Sequence, residues 1–238
     1  MNILVTAGNT QTPLDKVRCI TNIFSGRTGT RIAMTASERG HSITLLTSHP
    51  EVVGELRNSA SLGTSGSLDS SFACPSGSWR VIPYRTFDDL EARMAELVPA
   101  GQFDAIVHAA AVSDYRLAGI FSKSPEGMKD VSADKVKSHH DELWLRLLPT
   151  PKLVDKIRTE WGFRGTLVKF KLEVGVTEAE LLMIAERSRL QSGADLMAAN
   201  TLEAMHEWAY VGAGAAGYQK VQRDRLAEHL LEEIEKNS

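Results

Sequence analysis

Residues 8–29 have the composition of an anion-binding loop. Gly8 follows a short apolar run, and a turn at residues 25–29 precedes the periodic apolar pattern of a helix. The unpaired N–H groups of a helix N-terminus attract phosphate, and glycine lets a phosphate approach the backbone closely. Arg18 lies in the same loop, and its planar guanidinium matches a phosphate or a carboxylate. We therefore predict an anion site here, although the glycine spacing is neither a dinucleotide fingerprint nor a Walker loop.

Asn22 and Ser25 lie between Arg18 and the first helix and allow two interpretations. Both residue types are common in turns and at helix N-caps, so a structural role explains the pair as well as a chemical one. The guanidinium of the neighbouring Arg18 favours a role in ligand binding or catalysis. Asn22 and Ser25 are therefore candidates for substrate contact, together with Gly26 and Gly29 of the following turn.

A second polar group follows a central strand, in the run HAAAVSDY at residues 108–115. The small side chains of Ala110 and Ala111 leave the main chain uncovered, so that a ligand can lie against it. Asp114 follows where a loop leaves the sheet, and a carboxylate there suits a hydroxyl group or a metal-bound phosphate. The structural alternative is close helix packing by the alanines and a turn at Asp114.

Four further residues are candidates on weaker grounds. Lys135 lies in the charged run DKVK, where a lysine is usually a solvated surface residue. Pro151 is expected in the first turn of a helix, a position that proline favours. Phe170 and Asn200 end two strands; they suit stacking on a nucleotide base and hydrogen bonding to its edge, or equally a core ring and a strand-end cap. No histidine or cysteine spacing indicates a metal site.

Apolar strand patterns alternate with helix patterns along the chain. The predicted strands comprise residues 3–5, 42–47, 80–84, 103–108, 166–170 and 195–199, and the predicted helices follow residue 26 and comprise residues 87–98, 152–160, 178–191 and 223–235. Near-continuous apolar strands separated by helices are typical of a mostly parallel sheet with helices on both faces. We predict one Rossmann-like α/β domain over residues 1–238, with its ligand at the carboxyl ends of the strands.

Two segments interrupt this alternation. Between residues 59 and 78, eleven of the twenty residues are Ser or Gly, which predicts a flexible surface insertion. Between residues 115 and 149, leucines alternate with other residues at positions 143–148, which predicts an extended β-arm or hairpin. An arm that projects from an α/β core is the best candidate for a dimer contact, so we predict a homodimer.

Composition excludes several classes of protein. The chain has 238 residues, 42% of them hydrophobic, and a formal net charge of −3, which argues against sequence-independent binding to nucleic acid. Cys19 and Cys74 form no disulfide framework or metal-ligand spacing, so reduced thiols are expected. No signal-peptide pattern is present, and no apolar run approaches the roughly 18 residues of a membrane span. We predict a cytoplasmic protein with no membrane or nucleic-acid partner.

Several motifs together resemble the phosphopantothenoylcysteine synthetases (phosphopantothenate cysteine ligases), in particular their stand-alone bacterial form. The matching runs are VTAGNTQTPLDKVRCITNIFSGRTG, HAAAVSDY, DKVK, LLPTPKLV, FKLEVGVTEAEL and ADLMAAN, in the order and spacing of the family. The resemblance implies a ligase of coenzyme A biosynthesis. Such an enzyme activates the carboxylate of 4′-phosphopantothenate with a nucleoside triphosphate, CTP or ATP, in the presence of Mg²⁺, and L-cysteine then displaces the nucleotide from an acyl-nucleotide, acyl-CMP where CTP is used.

The resemblance also implies roles for individual residues. Asn22 and Lys135 match catalytic positions, Lys135 being the lysine that meets the reacting phosphates. The phosphopantothenate and acyl-nucleotide region matches Arg18, Ala110, Ala111 and Asp114, and the nucleotide-lining positions match Gly8, Ser25, Gly26, Gly29, Pro151, Phe170 and Asn200. In the family this site lies at a dimer interface. No residue is assigned as a metal ligand.

The chain departs from the family at four positions. Phe24 stands where many members have a serine, and Ser138, Ser188 and Ser192 stand where fused bacterial forms have lysines. Fewer cations are therefore expected around the triphosphate. Two alternative functions remain: a non-catalytic nucleotide-binding paralogue, and an NAD(P)-dependent oxidoreductase. The oxidoreductase is disfavoured because residues 47–50 offer no acidic side chain for a ribose.

Overall fold

The computed structural model describes residues 1–61, 77–125, 127–214 and 217–237. Their strands are β1 (Asn2–Ala7), β2 (Gln11–Pro13), β3 (Cys19–Thr21), β4 (Ser42–Thr47), β5 (Trp79–Pro83), β6 (Ala105–His108), β7 (Tyr115–Ser124), β8 (Gly127–Asp130), β9 (Trp144–Pro149), β10 (Thr166–Glu173), β11 (Leu196–Thr201), β12 (Trp208–Gly212) and β13 (Gln219–Gln222). Their helices are α1 (Arg27–Glu38), α2 (Glu51–Ser61), α3 (Phe87–Ala100), α4 (Leu153–Thr159), α5 (Glu178–Ser192) and α6 (Leu226–Lys236).

The central sheet of the described residues has the strand order β13-β12-β11-β10-β6-β1-β4-β5. Its strands from β11 to β5 run parallel. The last two strands, β12 and β13, are antiparallel and form one edge. The predicted mostly parallel sheet is therefore confirmed, whereas this short antiparallel edge was not predicted.

Helices cover both faces of the sheet. On one face α1, α2 and α6 pack over strand residues that include Val5 and Val107. On the other face α3 and α4 pack over residues that include Leu4 and Ile106. Neighbouring residues of one strand thus point into different apolar layers, because side chains alternate across a sheet. This explains why the parallel strands read as near-continuous apolar runs, and it confirms the Rossmann-like α/β fold.

The chain segments that leave β1 and β6 diverge at the centre of the sheet. After β1 the chain returns through α1 on one face, whereas after β6 it reaches β10 through α4 on the other face. β1 and β6 are hydrogen-bonded neighbours. Such a divergence opens a crevice at the carboxyl ends of the two strands, which is the usual ligand position in an open α/β sheet.

The predicted arm is a separate antiparallel sheet with the order β8-β7-β9. Strand β7 pairs with β9 from Tyr115 opposite Pro149 to Phe121 opposite Trp144. The extended β-arm is therefore confirmed, and its role in dimerisation stays a prediction. Strands β2 and β3 form a further hairpin inside the segment that the sequence indicated as a loop.

Two boundaries differ from those predicted. Helix α2 was not predicted, and its last residues, 59–61, are the first three of the predicted Ser/Gly insertion. Residues 62–76 of that insertion lie outside the described residues. Pro151 precedes the N-cap residue Lys152 of α4, so it lies before the helix and not in its first turn. Proline suits this position as well, because the residue before a proline, here Thr150, favours extended backbone, as is usual just before a helix begins.

Helix α1 begins where its backbone touches the end of β1. Gly26 has a φ of +81°, and a Cβ atom there would lie 2.2 Å from the backbone nitrogen of Gly8. A Cβ atom on Gly29 would lie 2.8 Å from the Cβ of Ala7. A side chain at Gly26 or Gly29 would thus point at β1 and overlap with it. This contact gives a reason for glycine at these two positions that was not predicted, and the close approach of a phosphate stays a prediction.

We expect Gly26→Ala to lower the free energy of unfolding by about 3 kcal/mol in urea titration. The left-handed backbone costs a non-glycine residue roughly 1–2 kcal/mol, and steric overlap adds about 1–3 kcal/mol. Gly162 is the matched control, because its φ is +66° and nothing lies within 4 Å of the added atom. Gly162→Ala should therefore cost only about 1 kcal/mol. Equal losses in the two variants would show that the contact with β1 is not tight.

Candidate active site

Asn22 lies at the base of the β2–β3 hairpin, over the carboxyl ends of β1 and β6. Its Nδ2 atom donates to the carbonyl oxygen of Ala111 at 2.9 Å, and its own carbonyl oxygen accepts from Asn9 Nδ2 at 2.6 Å. The backbone N–H of Ala111 donates to the carbonyl oxygen of Gly8 at 2.8 Å. Three predicted site residues, Gly8, Asn22 and Ala111, are thus brought together at the crevice.

Asn9 was not predicted as a site residue, yet it organises this loop. Asn9 is buried, and its N–H donates to Ser48 Oγ at 2.9 Å. Ser48 Oγ in turn donates to Asn9 Oδ1 at 3.3 Å. A Cβ atom on Gly8 would lie 2.2 Å from the same Ser48 oxygen. The available sequence signal was the Gly8-Asn9 pair, which is typical of tight turns.

Arg18 lies at the tip of the hairpin and is paired within the chain. Its Nε and Nη2 atoms donate to Asp15 Oδ2 at 3.0 and 2.5 Å, and Nη2 also donates to the carbonyl oxygen of Val136 at 2.8 Å. Asp15 accepts further from the N–H groups of Val17, Arg18 and Val136. The Arg18 guanidinium and these N–H groups hold the pKa of Asp15 well below its usual range. Sequence reasoning missed Asp15 as the partner of Arg18.

Lys135 has an exposed side chain on a fixed backbone. Val136, the next residue, is buried and bonded to both Asp15 and Arg18. On the other side, Asp134 accepts from Lys16 through both its carbonyl oxygen and its carboxylate. The structure therefore places Lys135 beside Arg18, as two predicted site residues that border the hairpin tip.

The predicted site residues thus form two groups within one chain. Asn22 and Gly8 lie at the base of the hairpin, whereas Arg18 and Lys135 lie at its tip. Arg18 and Asn22 are four positions apart along an extended chain, which is about 13 Å between their Cα atoms at a strand's rise per residue. The backbones of the two groups are therefore separate within one subunit.

Asp114 and Pro151 lie together where the arm returns to the core. The carbonyl oxygen of Asp114 accepts from the N–H of Thr150 at 2.9 Å, and its carboxylate pairs with Lys152. More than half of each of these two charged side chains is exposed. Pro151, between Thr150 and Lys152, is exposed as well. This loop forms the border of the crevice on the side of α4.

Phe170 and Asn200 lie near the carboxyl ends of neighbouring strands. Phe170 of β10 packs against the apolar layer below α1, as Ala109 does. Asn200 of β11 is two residues beyond Ala198 of that layer, so its side chain lies on the same face. Both predicted nucleotide residues are therefore on the face that carries the N-terminus of α1, and both are partly exposed.

His108 ends β6 below the crevice and is buried. Ala110 N–H donates to Thr6 Oγ1 at 3.2 Å, and Thr6 Oγ1 lies 3.0 Å from His108 Nδ1. The Thr6 hydroxyl therefore has its proton free to donate to Nδ1, which assigns the ring proton to Nε2. Burial, with a smaller effect of the Lys169 charge, lowers the pKa of His108 to about 4. His108 thus supports the Ala110 backbone as a neutral ring.

The described parts of the chain contain no group of three or more His, Cys, Asp or Glu side chains arranged to hold a metal ion. The same residues include no helix that is long and apolar enough to cross a membrane.

A family model described as the DNA/pantothenate metabolism flavoprotein C-terminal domain matches residues 1–59 and 71–237. The chain belongs to this family. The resemblance found in the motifs is therefore confirmed.

Curated relatives agree with this membership. The chain is 34% identical over 239 residues to the coenzyme A biosynthesis bifunctional protein CoaBC of Thermococcus kodakarensis, covering 98% of this chain and 51% of the relative. It is 30% identical over 200 residues to CoaBC of Escherichia coli K12, covering 84% of this chain and 41% of the relative. It is 25% identical over 268 residues to the phosphopantothenate–cysteine ligase of Mus musculus, covering 98% of this chain and 79% of the relative. The chain spans about half the length of the CoaBC relatives, or somewhat less.

Solved structures share the fold. The DNA/pantothenate metabolism flavoprotein from Streptococcus pneumoniae has a TM-score of 0.77 and 28% identity, with all of both chains covered. The Cab2 H337A variant in complex with phosphopantothenate-cysteine has a TM-score of 0.70 and 15% identity, covering 98% of this chain and 86% of that one. The second likeness supports the fold alone.

The buried His108 generates a prediction about pH. Between pH 6.5 and pH 4 the histidine is protonated in the unfolded chain, where its pKa is near 6.5, but stays neutral in the folded protein, where the pKa of His108 is about 4. Stability should therefore fall as pH drops from about 6.5 to about 4, by up to about 3 kcal/mol in all. His108→Gln should flatten this part of the curve of unfolding free energy against pH. His206→Gln, which replaces an exposed ring, should not. Identical slopes in the two variants would contradict the burial of a neutral His108.

Proposed function

We propose that this chain joins 4′-phosphopantothenate to L-cysteine in coenzyme A biosynthesis, at the cost of a nucleoside triphosphate. Family membership supports this reaction, because relatives in the family include phosphopantothenate–cysteine ligases. The observation that carries the proposal is the crevice between β1 and β6, where the Asn22 amide is bonded to the uncovered main chain of Ala111. A cytoplasmic location remains a prediction from the sequence.

The proposed reaction has two steps. A carboxylate oxygen of phosphopantothenate attacks the α-phosphorus of the triphosphate, so that an acyl-nucleotide forms and pyrophosphate leaves. The amine of cysteine then attacks the acyl carbon, forms the amide bond, loses a proton and expels the nucleoside monophosphate. With CTP the intermediate is an acyl-CMP, and with ATP an acyl-AMP. Preorganised donors accelerate such steps by stabilising charge on the phosphate and acyl oxygens.

Asn22 suits the second step. Its amide has two N–H donors and one acceptor oxygen, and the bond to Ala111 uses one donor. A second donor and the oxygen can therefore serve the acyl group and the incoming amine. We assign Arg18, Ala110, Ala111 and Asp114 to the phosphopantothenate and acyl-nucleotide region.

The nucleotide is assigned to the side of the crevice that carries the N-terminus of α1. Phe170 lies on that face with a partly exposed ring, which suits stacking on a base. Helix N-termini bind phosphate through their unpaired N–H groups. The other residues assigned to the nucleotide are Gly8, Ser25, Gly26, Gly29, Pro151 and Asn200.

Mg²⁺ fits this site as a companion of the triphosphate. It is usually bound by phosphate oxygens with one or two carboxylates, and it neutralises developing charge. Asp114 is an exposed carboxylate at the border of the crevice and can supply such a ligand. A dedicated protein cage is not needed for an ion bound in this way.

We also propose that the protein acts as a homodimer through the arm. Large apolar side chains are exposed on the arm and hairpin, namely Tyr115, Met128, Leu143, Trp144, Leu145 and Leu147, with Val17, Ile20 and Ile23. Clustered exposed apolar surface marks an interaction site. We propose that in this dimer the tip group of one subunit meets the base group of the other, which would unite Lys135 with Asn22 in one site.

The reaction is tested with the purified protein, phosphopantothenate, CTP or ATP, Mg²⁺ and cysteine, with products identified by mass spectrometry. We expect the amide with cysteine and an acyl-nucleotide without it. Lys135→Ala should lower turnover roughly 10²- to 10³-fold, the effect of losing one preorganised donor. Lys137→Ala is the control, since Lys137 is an exposed lysine two residues further on. Nucleotide binding without either product would favour the non-catalytic paralogue, and reduction of NAD(P) by a substrate would favour the oxidoreductase.

The dimer is tested by light scattering. Wild-type protein should have about twice the 26.1 kDa mass of the chain at micromolar concentration. Trp144→Asp should give a monomer with little turnover, because it puts a charge into the apolar contact. Met183→Asp is the matched control, since Met183 is an exposed apolar residue on α5, outside the arm. A fully active wild-type monomer would disprove the shared site.

A further inference from the structure

Arg223 follows the last strand of the central sheet, at the carboxyl edge of that sheet. Strand β13 runs antiparallel to β12, and β12 runs antiparallel to β11, so β13 has the direction of the parallel strands. Its last residue, Gln222, therefore lies at the same edge as the carboxyl ends of β10 and β11. Arg223 comes next and leads towards α6. The chain thus brings a guanidinium to the edge of the sheet that carries the crevice.

The side chain of Arg223 reaches the first turn of α1. Its Nη2 atom donates to the hydroxyl oxygen of Thr28, the second residue of α1. That turn begins where Gly26 touches Gly8 at the end of β1, beside the crevice. The guanidinium of Arg223 is therefore placed at the N-terminus of the helix to which the nucleotide is assigned.

Arg223 also lies on the face of the sheet that carries Phe170 and Asn200. Helices α1 and α6 pack against each other on this face, α1 over β1 and β4 and α6 over β12 and β13. Strands β10 and β11, which carry Phe170 and Asn200, lie in the sheet between β1 and β12. The contact between Arg223 and Thr28 joins the starts of the two helices on that face. A nucleotide base on Phe170 and a phosphate at Arg223 would thus share one face and one edge of the sheet.

Arg223 and Arg31 form no ion pair with any carboxylate of the described residues. Arg27, at the start of α1, is by contrast paired with Glu55. Arg31 lies one helical turn beyond Thr28 and is exposed. Burial lowers the pKa of the Arg223 guanidinium, and the charge of Arg31 lowers it further. A partly buried cation beside a second cation is costly unless an anion joins them.

The groups around Arg223 are all hydrogen-bond donors or positive charges. A guanidinium has five N–H donors in a planar fork, and the bond to Thr28 uses one of them. The N-cap residue of α1, Gly26, has no side chain to accept from the first N–H groups of the helix, and the first turn contains no acidic residue. A phosphate group has several acceptor oxygens and matches a guanidinium in a bidentate manner.

We propose that Arg223 binds a phosphate group of the nucleoside triphosphate at the start of α1, with Arg31 as a second cation. This rests on the proposed function for the identity of the ligand. The structural alternative is that Arg223 only ties the segment before α6 to α1 through Thr28. The two roles differ in what removal of the charge does to ligand binding.

The test measures binding directly, by calorimetry with CTP, ATP and inorganic tripolyphosphate in the presence of Mg²⁺. Arg223→Met removes the charge and keeps an unbranched apolar side chain. We expect Kd for each of the three ligands to rise about 10- to 100-fold, as for the loss of one hydrogen bond between charged groups. Arg225→Met is the matched control, because Arg225 is an exposed arginine two residues further on and is paired with Glu228. It should leave Kd unchanged.

Two further variants separate the two roles. Thr28→Val removes the contact between α1 and Arg223 but keeps both guanidinium groups, so it should raise Kd less than Arg223→Met does. An equal rise in these two variants would show that Arg223 acts by holding α1, and would overturn the proposal. Arg31→Met leaves the Thr28 contact in place and should raise Kd about threefold, as for a weak interaction between exposed charges.

Unchanged Kd in folded Arg223→Met would overturn the proposal, and a lower melting temperature with that result would assign Arg223 to the structural tie. Where Arg223→Met does not fold, Arg31→Met decides the question, because its exposed side chain makes no contact that folding needs. Unchanged Kd in Arg31→Met would then overturn the proposal.

The outcome is independent of the ligase reaction. Weaker triphosphate binding in Arg223→Met, with a wild-type protein that forms no amide, would support the role of Arg223 and reject the proposed function. Amide formation by the wild type with unchanged triphosphate binding in Arg223→Met would do the reverse.

Discussion

The contact between the start of α1 and the end of β1 is the constraint on which the candidate site depends. Gly26 and Gly29 let the helix backbone approach Gly8 and Ala7 so closely that no Cβ atom fits between them. This fixes the direction of α1, and therefore the place to which its unpaired N–H groups point. The same contact fixes Gly8, whose carbonyl oxygen accepts from Ala111 and so holds the loop after β6. One steric requirement thus positions both sides of the crevice.

A second constraint holds the hairpin and the arm together. The buried Asp15 carboxylate accepts hydrogen bonds from the Arg18 guanidinium and from three backbone N–H groups, one of which belongs to Val136 in the arm. A carboxylate with this many donors remains ionised far below its usual pKa, so the junction persists over the whole physiological range of pH. Lys135 owes its fixed backbone to this junction. Its ammonium is exposed, which avoids the cost of desolvating it.

The sequence predicted the layers of the fold because parallel strands covered on both faces are apolar at nearly every position. It predicted the crevice for a related reason, since short polar loops after β1 and β6 follow such strands directly. It did not predict the β2–β3 hairpin, whose strands have only three residues each and carry exposed side chains such as Ile20. Sequence reasoning missed the ion pair of Arg18 with Asp15, only three residues away, and the bond of Arg18 to Val136 spans 118 residues of sequence that no local pattern encodes. The roles of the site residues toward ligands remain predictions.

Binding of a polyanion depends on the charges near the binding site and not on the net charge of the chain. A net charge of −3 gives no reason to expect a binder of a highly charged anion. Charges beyond about 8–10 Å are largely screened at physiological ionic strength, so a bound triphosphate is influenced chiefly by its immediate neighbours. At the border of the crevice one such neighbour is Lys152, whose partner Asp114 is a carboxylate that a phosphate can compete with. An acidic chain can therefore hold a polyanion when cations lie at the place where it binds.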